Sequence, residues 1–287
     1  MTDGRVLMTL GVLLLAVQDG FSRYLAAEYS TIVVVVIRYW FLFLVVLIIA
    51  LRHAGIQQMF RSGRPWLQAL RGAFLALEIC VMIAGFVLLG LSVAHAVFAV
   101  SPLIITAMAA PLLGERVQAA QWGLVAVGFG GVLVILQPGS DVFQTAALVP
   151  LLAACLFAAY SLTTRMVADR DGPATSTAWT ALMGVGLLTP IGIWYWEPLD
   201  RADWPEMAYL AVSSALAHWL LIRAYAIERA SRVQPFAYLQ LVFASMIGIF
   251  WFGETLSLNL IIGAAIIVGA GLLSLRLKAE QQDAPAA

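Results

Sequence analysis

The chain has 287 residues, of which 62% are hydrophobic and 11% charged, and its 16 basic and 16 acidic side chains cancel to a net charge of zero. Soluble domains average about 45–50% apolar and about 25% charged residues, so these few charges cannot cover a water-facing surface of this size. With a mean hydropathy of +0.94, the composition excludes an ordinary soluble enzyme, a nucleic-acid-binding protein and a secreted disulfide scaffold. What remains is a polytopic membrane protein.

A membrane-spanning helix takes about 20 apolar residues, which leaves room for roughly ten. The apolar runs predict spans at 6–26, 31–51, 67–89, 93–113, 118–137, 143–165, 175–196, 205–227, 233–252 and 256–276. The first run follows Arg5 and continues past Phe21 to Leu25 without an A-x-A-like cleavage site, so it reads as a retained span rather than a signal peptide. Charges, Pro and Gly mark the breaks: Arg52 to Pro65, Gly114-Glu115-Arg116, Pro138 to Asp141, Asp169 to Pro173, Pro198 to Pro205, and Gly253-Glu254. The break at Gly90–Ser92 is short and predicts a tight turn between the third and fourth spans. Cys80 and Cys155 both fall inside apolar runs, so neither a disulfide nor a metal site is expected, and no cofactor is implied.

An even number of spans puts both termini on one face. Assigned to the nearest loop, Arg5, Arg52, Arg61, Arg64, Arg71, Arg116, Arg165, Arg170, Arg229, Arg232, Arg276 and Lys278 fall on that face, and Arg23 and Arg201 on the other. The positive-inside rule then predicts cytoplasmic termini in a multi-pass protein of a bacterial inner membrane. Glu28, Asp141, Glu197, Asp200, Asp203 and Glu206 make the other face acidic, and Trp194-Tyr195-Trp196 with Trp204 form an interfacial belt there.

Two stretches repeat in kind. At a constant offset of 139 residues Ser92 meets Ser231, Gly114-Glu115 meets Gly253-Glu254, and Gly130 meets Gly269, whereas Pro102 meets Leu241. Each copy has an apolar span closed by Gly-Glu, then a polar turn, then a span rich in small residues. The expected architecture is therefore all-α, with ten transmembrane helices in two five-helix repeats, 1–139 and 140–287. Since five is odd, the second repeat inserts inverted, which is the plan of carriers whose halves rock against each other. Pro102, Gly114, Glu115, Gly253 and Glu254 form the repeat motif. Glu115 and Glu254 are both expected on the cytoplasmic side, capping the next helix or pairing with a base such as Arg116.

These residues resemble the drug/metabolite transporter superfamily, in its EamA-type branch. The resemblance rests on Ala94 to Gly131, with Pro102, Gly114, Glu115, Trp122 and Gly128, and on the echo from Ser231 to Gly271, with Gly253 and Glu254. Gln18-Asp19, Arg23-Tyr24 and Ile37-Arg38-Tyr39-Trp40 resemble a sub-branch that includes bacterial riboflavin transporters. The resemblance implies a secondary carrier working by alternating access, with riboflavin uptake as the named candidate and export of amino acids or related metabolites as the alternative. An intramembrane enzyme lacks support, because there is no H-E-x-x-H, G-x-S-x-G or P-loop motif. A channel lacks a filter sequence. Without a nucleotide-binding domain, ATP is not the direct energy source. The expected partners are a small-molecule substrate, the bilayer and a coupling proton, not nucleic acid; monomeric and dimeric states are equally compatible with the sequence.

Ionisable groups inside a bilayer are functional candidates by default. They are Asp19, Arg23, Arg38, Glu78, His95, His218 and Arg223. Asp19 and Arg38 lie at similar depths on the first two spans and could pair, as a gate or substrate-orienting site or as a bond between helices. Arg23 could instead partner Asp19 or snorkel. Glu78, deep in the third span, is either a cavity acid suited to proton coupling or a buried hydrogen-bonded group. His95 reads mainly as a packed histidine, and His218 has the stronger case by depth. Among the aromatics, Tyr39, Trp179 and Tyr238 are the candidates for holding a flat ring. Gly128-Phe129-Gly130-Gly131 lies within an apolar span, so it serves close helix contact rather than nucleotide binding.

Overall fold

The computed structural model describes residues 3–114, 117–137, 145–227 and 234–283, without the side chains of 53, 54, 147, 215, 218, 222, 225, 226, 234 and 278–283. The described residues form helices and no strand. In a bilayer each backbone N–H and C=O must be satisfied within its own helix. This overrides the weak helix preference of β-branched side chains in the run Thr31 to Val36 of the second helix.

In chain order the helices are α1 (Gly4–Glu28), α2 (Thr31–Ile49), α3 (Ile56–Phe60), α4 (Pro65–Leu89), α5 (Leu91–Phe98), α6 (Ser101–Leu113), α7 (Ala119–Leu136), α8 (Leu148–Val167), α9 (Pro173–Trp194), α10 (Trp204–Ile227), α11 (Leu239–Phe252) and α12 (Leu258–Asp283). Their ends follow local chemistry. The Asp3 side chain accepts from the Arg5 N–H at 2.9 Å, Pro65 and Pro173 open α4 and α9, and left-handed Gly114 and Gly253 close α6 and α11. Nine helical segments among the described residues are long and apolar enough to cross a membrane. Helix α10, some of whose side chains are not described, is not among the nine; its 24 residues extend about 36 Å at 1.5 Å per residue.

Two expected elements differ. The fourth span is not one helix: α5 ends at Phe98 and α6 begins at Ser101. Pro102 has no N–H to offer the Phe98 carbonyl, and its ring crowds that turn. The ninth span is also interrupted, by a 3₁₀ turn over Gln234–Tyr238 ahead of α11, although Leu241 stands where the first copy has proline. Between the second and third spans, where a plain loop was expected, the chain forms a π-turn at Ala50–Ala54 and the short α3.

The 139-residue offset also relates helix boundaries. It relates the ends of α1 and α8 (Glu28, Val167), the starts of α4 and α10 (Pro65, Trp204), the ends of α6 and α11 (Leu113, Phe252) and the starts of α7 and α12 (Ala119, Leu258). Gly114 and Gly253 share nearly the same backbone, with φ 67° and 65°. The most extensive helix pairings, α4 with α8, α1 with α10 and α7 with α12, each join one copy to the other. At the α7–α12 crossing, a Cβ on Gly131 would sit 2.8 Å from the Gly263 carbonyl and one on Gly263 2.6 Å from the Gly131 carbonyl, so the two backbones meet where side chains are missing.

Contacts between loops sort them onto two faces. The α3–α4 loop meets the α8–α9 loop through Arg64 with Asp169 and Ser62 with Asp171. On the opposite face the Tyr29 hydroxyl donates to Asp203 at 2.5 Å. That hydrogen bond holds the phenol above its ordinary pKa. The α11–α12 turn meets the α4–α5 turn on the same opposite face, because Glu254 touches Leu91, Ser92 and Arg23. This corrects the expectation for Glu254. The fourth and ninth spans run in opposite senses, so Glu254 lies across the membrane from the end of α6. Glu115 itself is outside the described residues.

Candidate functional site

Polar side chains from five helices converge deep within the spans. Asp19 lies nine residues before the end of α1, about 14 Å from that end. Its Oδ2 accepts from Gln240 Nε2 of α11 at 3.1 Å and lies 3.1 Å from His95 Nε2 of α5. The His95 approach is an ion-pair distance that is off-line for a hydrogen bond. His95 is 5% exposed, and its ring stacks on Phe86 of α4 at 5.1 Å and 24°.

Arg38 of α2 reaches toward Ser22, with Nη1 3.5 Å from its hydroxyl, and lies within electrostatic reach of Asp19 and Glu78. Glu78 of α4 is 7% exposed and feels both Asp19 and Arg38. Tyr39 fills the place where Gly184 lacks a side chain, since a Cβ there would overlap its ring. The Tyr39 hydroxyl is buried with no partner among the described residues.

The structure therefore brings Asp19, Arg38, Tyr39 and Glu78 together. The Asp19–Arg38 ion pair anticipated from their depths does not form; Asp19 turns toward α5 and α11, and Arg38 reaches Ser22 one turn beyond it. Arg23 is not the partner of Asp19 either. It pairs with Glu254 and lies 4.1 Å over the Phe252 ring.

Other candidates lie elsewhere. The Trp179 indole donates to the Phe60 carbonyl at 3.1 Å, which ties it to the short α3 near the terminal face and away from the cluster. The Tyr238 hydroxyl is buried against Gly271, without a partner among the described residues, two residues before Gln240. The side chain of His218 is outside the described residues. Arg223 lies 5.6 Å from the ring of Trp219 on an exposed stretch, as a snorkelling side chain would. Gln240, neither ionisable nor aromatic, is not among the expected site residues; a lone Gln between Leu239 and Leu241 in an apolar run is its signal in the sequence. His95 earns its place by touching Asp19, a contact its own span does not reveal.

A second polar network lies toward the terminal face. Arg71, counted with the loop bases from its place in the sequence, is 2% exposed and inside α4. It donates to Gln68 Oε1 at 3.0 Å, Thr180 Oγ1 at 2.6 Å, Tyr160 OH at 3.3 Å and the Ser176 carbonyl. Gln68 Nε2 passes on to Asp171 Oδ2 at 2.9 Å, and the Gly63 N–H reaches Asp171 Oδ1 at 2.8 Å.

Partial burial alone would raise the pKa of Asp171. The donors Ser62, Gln68 and Gly63 together with the Arg64 charge outweigh it and hold the carboxyl below its usual value. A depressed carboxylate stabilises fully above its unfolded pKa and loses that contribution as pH falls through the folded one. Asp171→Asn should therefore lower the thermal midpoint of the detergent-purified protein at pH 7, and the gap to wild type should close only below about pH 4. A constant gap from pH 7 to pH 3 would show that the charge is irrelevant.

Comparison with known proteins adds the following. The model of the EamA-like transporter family matches residues 3–137 and again 144–276. A riboflavin transporter of Rhizobium johnstonii is 34% identical over 241 residues, covering 82% of this chain and 78% of that protein. An S-adenosylmethionine uptake transporter of Rickettsia prowazekii is 24% identical, covering 90% of this chain and 87% of its own. One solved crystal structure matches along the whole of both chains with a TM-score of 0.65 at 17% identity, a likeness of fold.

Proposed function

The chain belongs to the EamA-like transporter family, and on that premise we propose that it is a secondary carrier importing riboflavin by alternating access between its two repeats. The observation that carries this is the cluster of Asp19, Arg38, Glu78, His95 and Gln240, drawn from five helices. Two carboxylates against one guanidinium favour a neutral or cationic ligand. The stacked His95–Phe86 pair and Tyr39, which packs over Gly184, are buried aromatic neighbours of the cluster. Glu78 is the group proposed to take up the coupling proton, since a desolvated acid can change charge within one cycle.

The topology follows from the same premises. The halves are 1–139 and 140–287, in inverted orientation. Ten crossings are supported by parity: the α9–α10 loop and the α11–α12 turn share a face, so α10 must cross if α11 does. The basic loops support cytoplasmic termini in a bacterial cell. The deciding experiment is uptake of labelled riboflavin by bacteria that cannot make the vitamin. Expression of the chain should restore growth on low external riboflavin and give saturable accumulation. Verified membrane expression without either result rejects riboflavin as the substrate.

A further inference from the structure

On the face opposite the termini, the Glu254 carboxylate is saturated by donors from the other copy. Oε1 accepts from the Leu91 N–H at 2.7 Å and from Arg23; Oε2 accepts from the Ser92 N–H at 3.0 Å and the Ser92 hydroxyl at 2.5 Å. The carboxylate thus sits on the free N–H groups of the first turn of α5, where negative charge is favoured.

Its slot is walled by two glycines. A Cβ on Gly90 or on Gly248 would overlap Glu254 oxygens, and one on Gly248 would also press on the Ser92 hydroxyl at 2.9 Å. Gly90, at φ +87°, holds the turn so that the N–H groups point into the slot. On the other side, left-handed Gly253 turns the chain so that the Glu254 N–H returns to the Gly248 carbonyl at 3.0 Å. Among the described residues, all four hydrogen-bond donors to the two oxygens belong to the first repeat. Nothing in ordinary helix packing requires a carboxylate bound in this way across the seam between the halves.

We propose that Glu254 is the latch of the outer gate: bound to Arg23, Leu91 and Ser92 it holds the two repeats together at this face and closes the path to the Asp19 cluster, and its release opens that path. His95, which touches Asp19, stands on the same eight-residue helix whose N-terminus the latch grips. A movement of α5 that breaks the latch therefore also disturbs the site. The inference rests on the carrier reading and on the cluster as its site, but it can be tested without a transported substrate.

Cys80 supplies the probe, since its thiol lies within electrostatic reach of Arg38 and Glu78. With Cys155 replaced by Ser, Cys80 is treated with a membrane-impermeant methanethiosulfonate applied from the face opposite the termini. Glu254→Gln puts an amide donor among donors, and Gly248→Ala fills the slot without changing any charge. Both should raise the rate of Cys80 modification at least tenfold, and reagent applied from the terminal face should show no such gain.

Unchanged Cys80 rates in both variants overturn the latch. Failure of riboflavin uptake by the unsubstituted chain overturns the substrate assignment alone, because the Cys80 rates do not depend on it.

Discussion

Asp19→Asn should reduce riboflavin uptake by about ten- to hundredfold while the protein still reaches the membrane and elutes as a folded species. Asn keeps the size of the side chain and still accepts from Gln240 Nε2, now 3.1 Å from Asp19 Oδ2, so packing among α1, α5 and α11 survives. The charge that faces His95 and Arg38 is lost. Hydrogen bonds to charged groups contribute about 1.5–3 kcal/mol, and each 1.4 kcal/mol is about tenfold in an equilibrium, which sets the expected range. Glu78→Gln should behave differently if Glu78 carries the coupling proton: uptake becomes insensitive to external pH, and accumulation against a gradient disappears while exchange of internal for external riboflavin persists. Fully pH-dependent accumulation in Glu78→Gln removes Glu78 from coupling, and normal uptake in Asp19→Asn removes Asp19 from the site.

How far the sequence could lead to this cluster depends on what each residue had to reveal. Asp19, Arg38 and Glu78 are legible one at a time, because a charge inside an apolar run is costly enough to need a purpose. Their partners are not legible, since pairing depends on helix rotation and on contacts between distant segments; Asp19 meets Gln240 from 221 positions away. The repeat was readable because Gly-Glu recurs at one offset, and the structure extends that offset to helix boundaries the sequence pattern does not mark. The sidedness of Glu254 is obscured by the shared Gly-Glu motif, which suggests one face for both copies although the odd number of helices in each makes them antiparallel. Arg71 was misplaced for a different reason: nearest-loop assignment cannot distinguish a base that snorkels from one that turns inward.

That inward base gives the second large effect. Arg71→Leu should destabilise the purified protein by about 3 kcal/mol. The guanidinium has no carboxylate among its described hydrogen-bond acceptors; it is held by Gln68, Tyr160, Thr180 and the Ser176 carbonyl, with the Tyr160 ring 5.3 Å away. Its removal strands the Gln68 oxygen in a buried seam, at about 1–3 kcal/mol for an unsatisfied group, and takes a donor from the half-buried Tyr160 hydroxyl.

The repeat supplies a control within the same molecule. At the 139-residue offset Gln68, Arg71 and Tyr160 correspond to Met207, Leu210 and Phe21, and Met207 and Leu210 are buried in an apolar seam with Leu25 and Leu199. The α1–α10 pairing, the counterpart of α4–α8, thus closes there without a charge. Copying it as Gln68→Met/Arg71→Leu removes the stranded amide together with the guanidinium, as apolar replacement of a whole buried polar group often restores stability that half-replacement loses. Thermal unfolding in detergent should rank wild type above the double variant and the double variant above Arg71→Leu. A double variant less stable than Arg71→Leu would mean that Gln68 stabilises through its Nε2 bonds to Asp171 Oδ2 and to Ser176 Oγ, at 3.0 Å, more than through Arg71. If Arg71→Leu alone unfolded at the wild-type temperature, the buried network would hold no free energy of folding, and its polar seam would have to be explained by movement of α4 against α8 during transport.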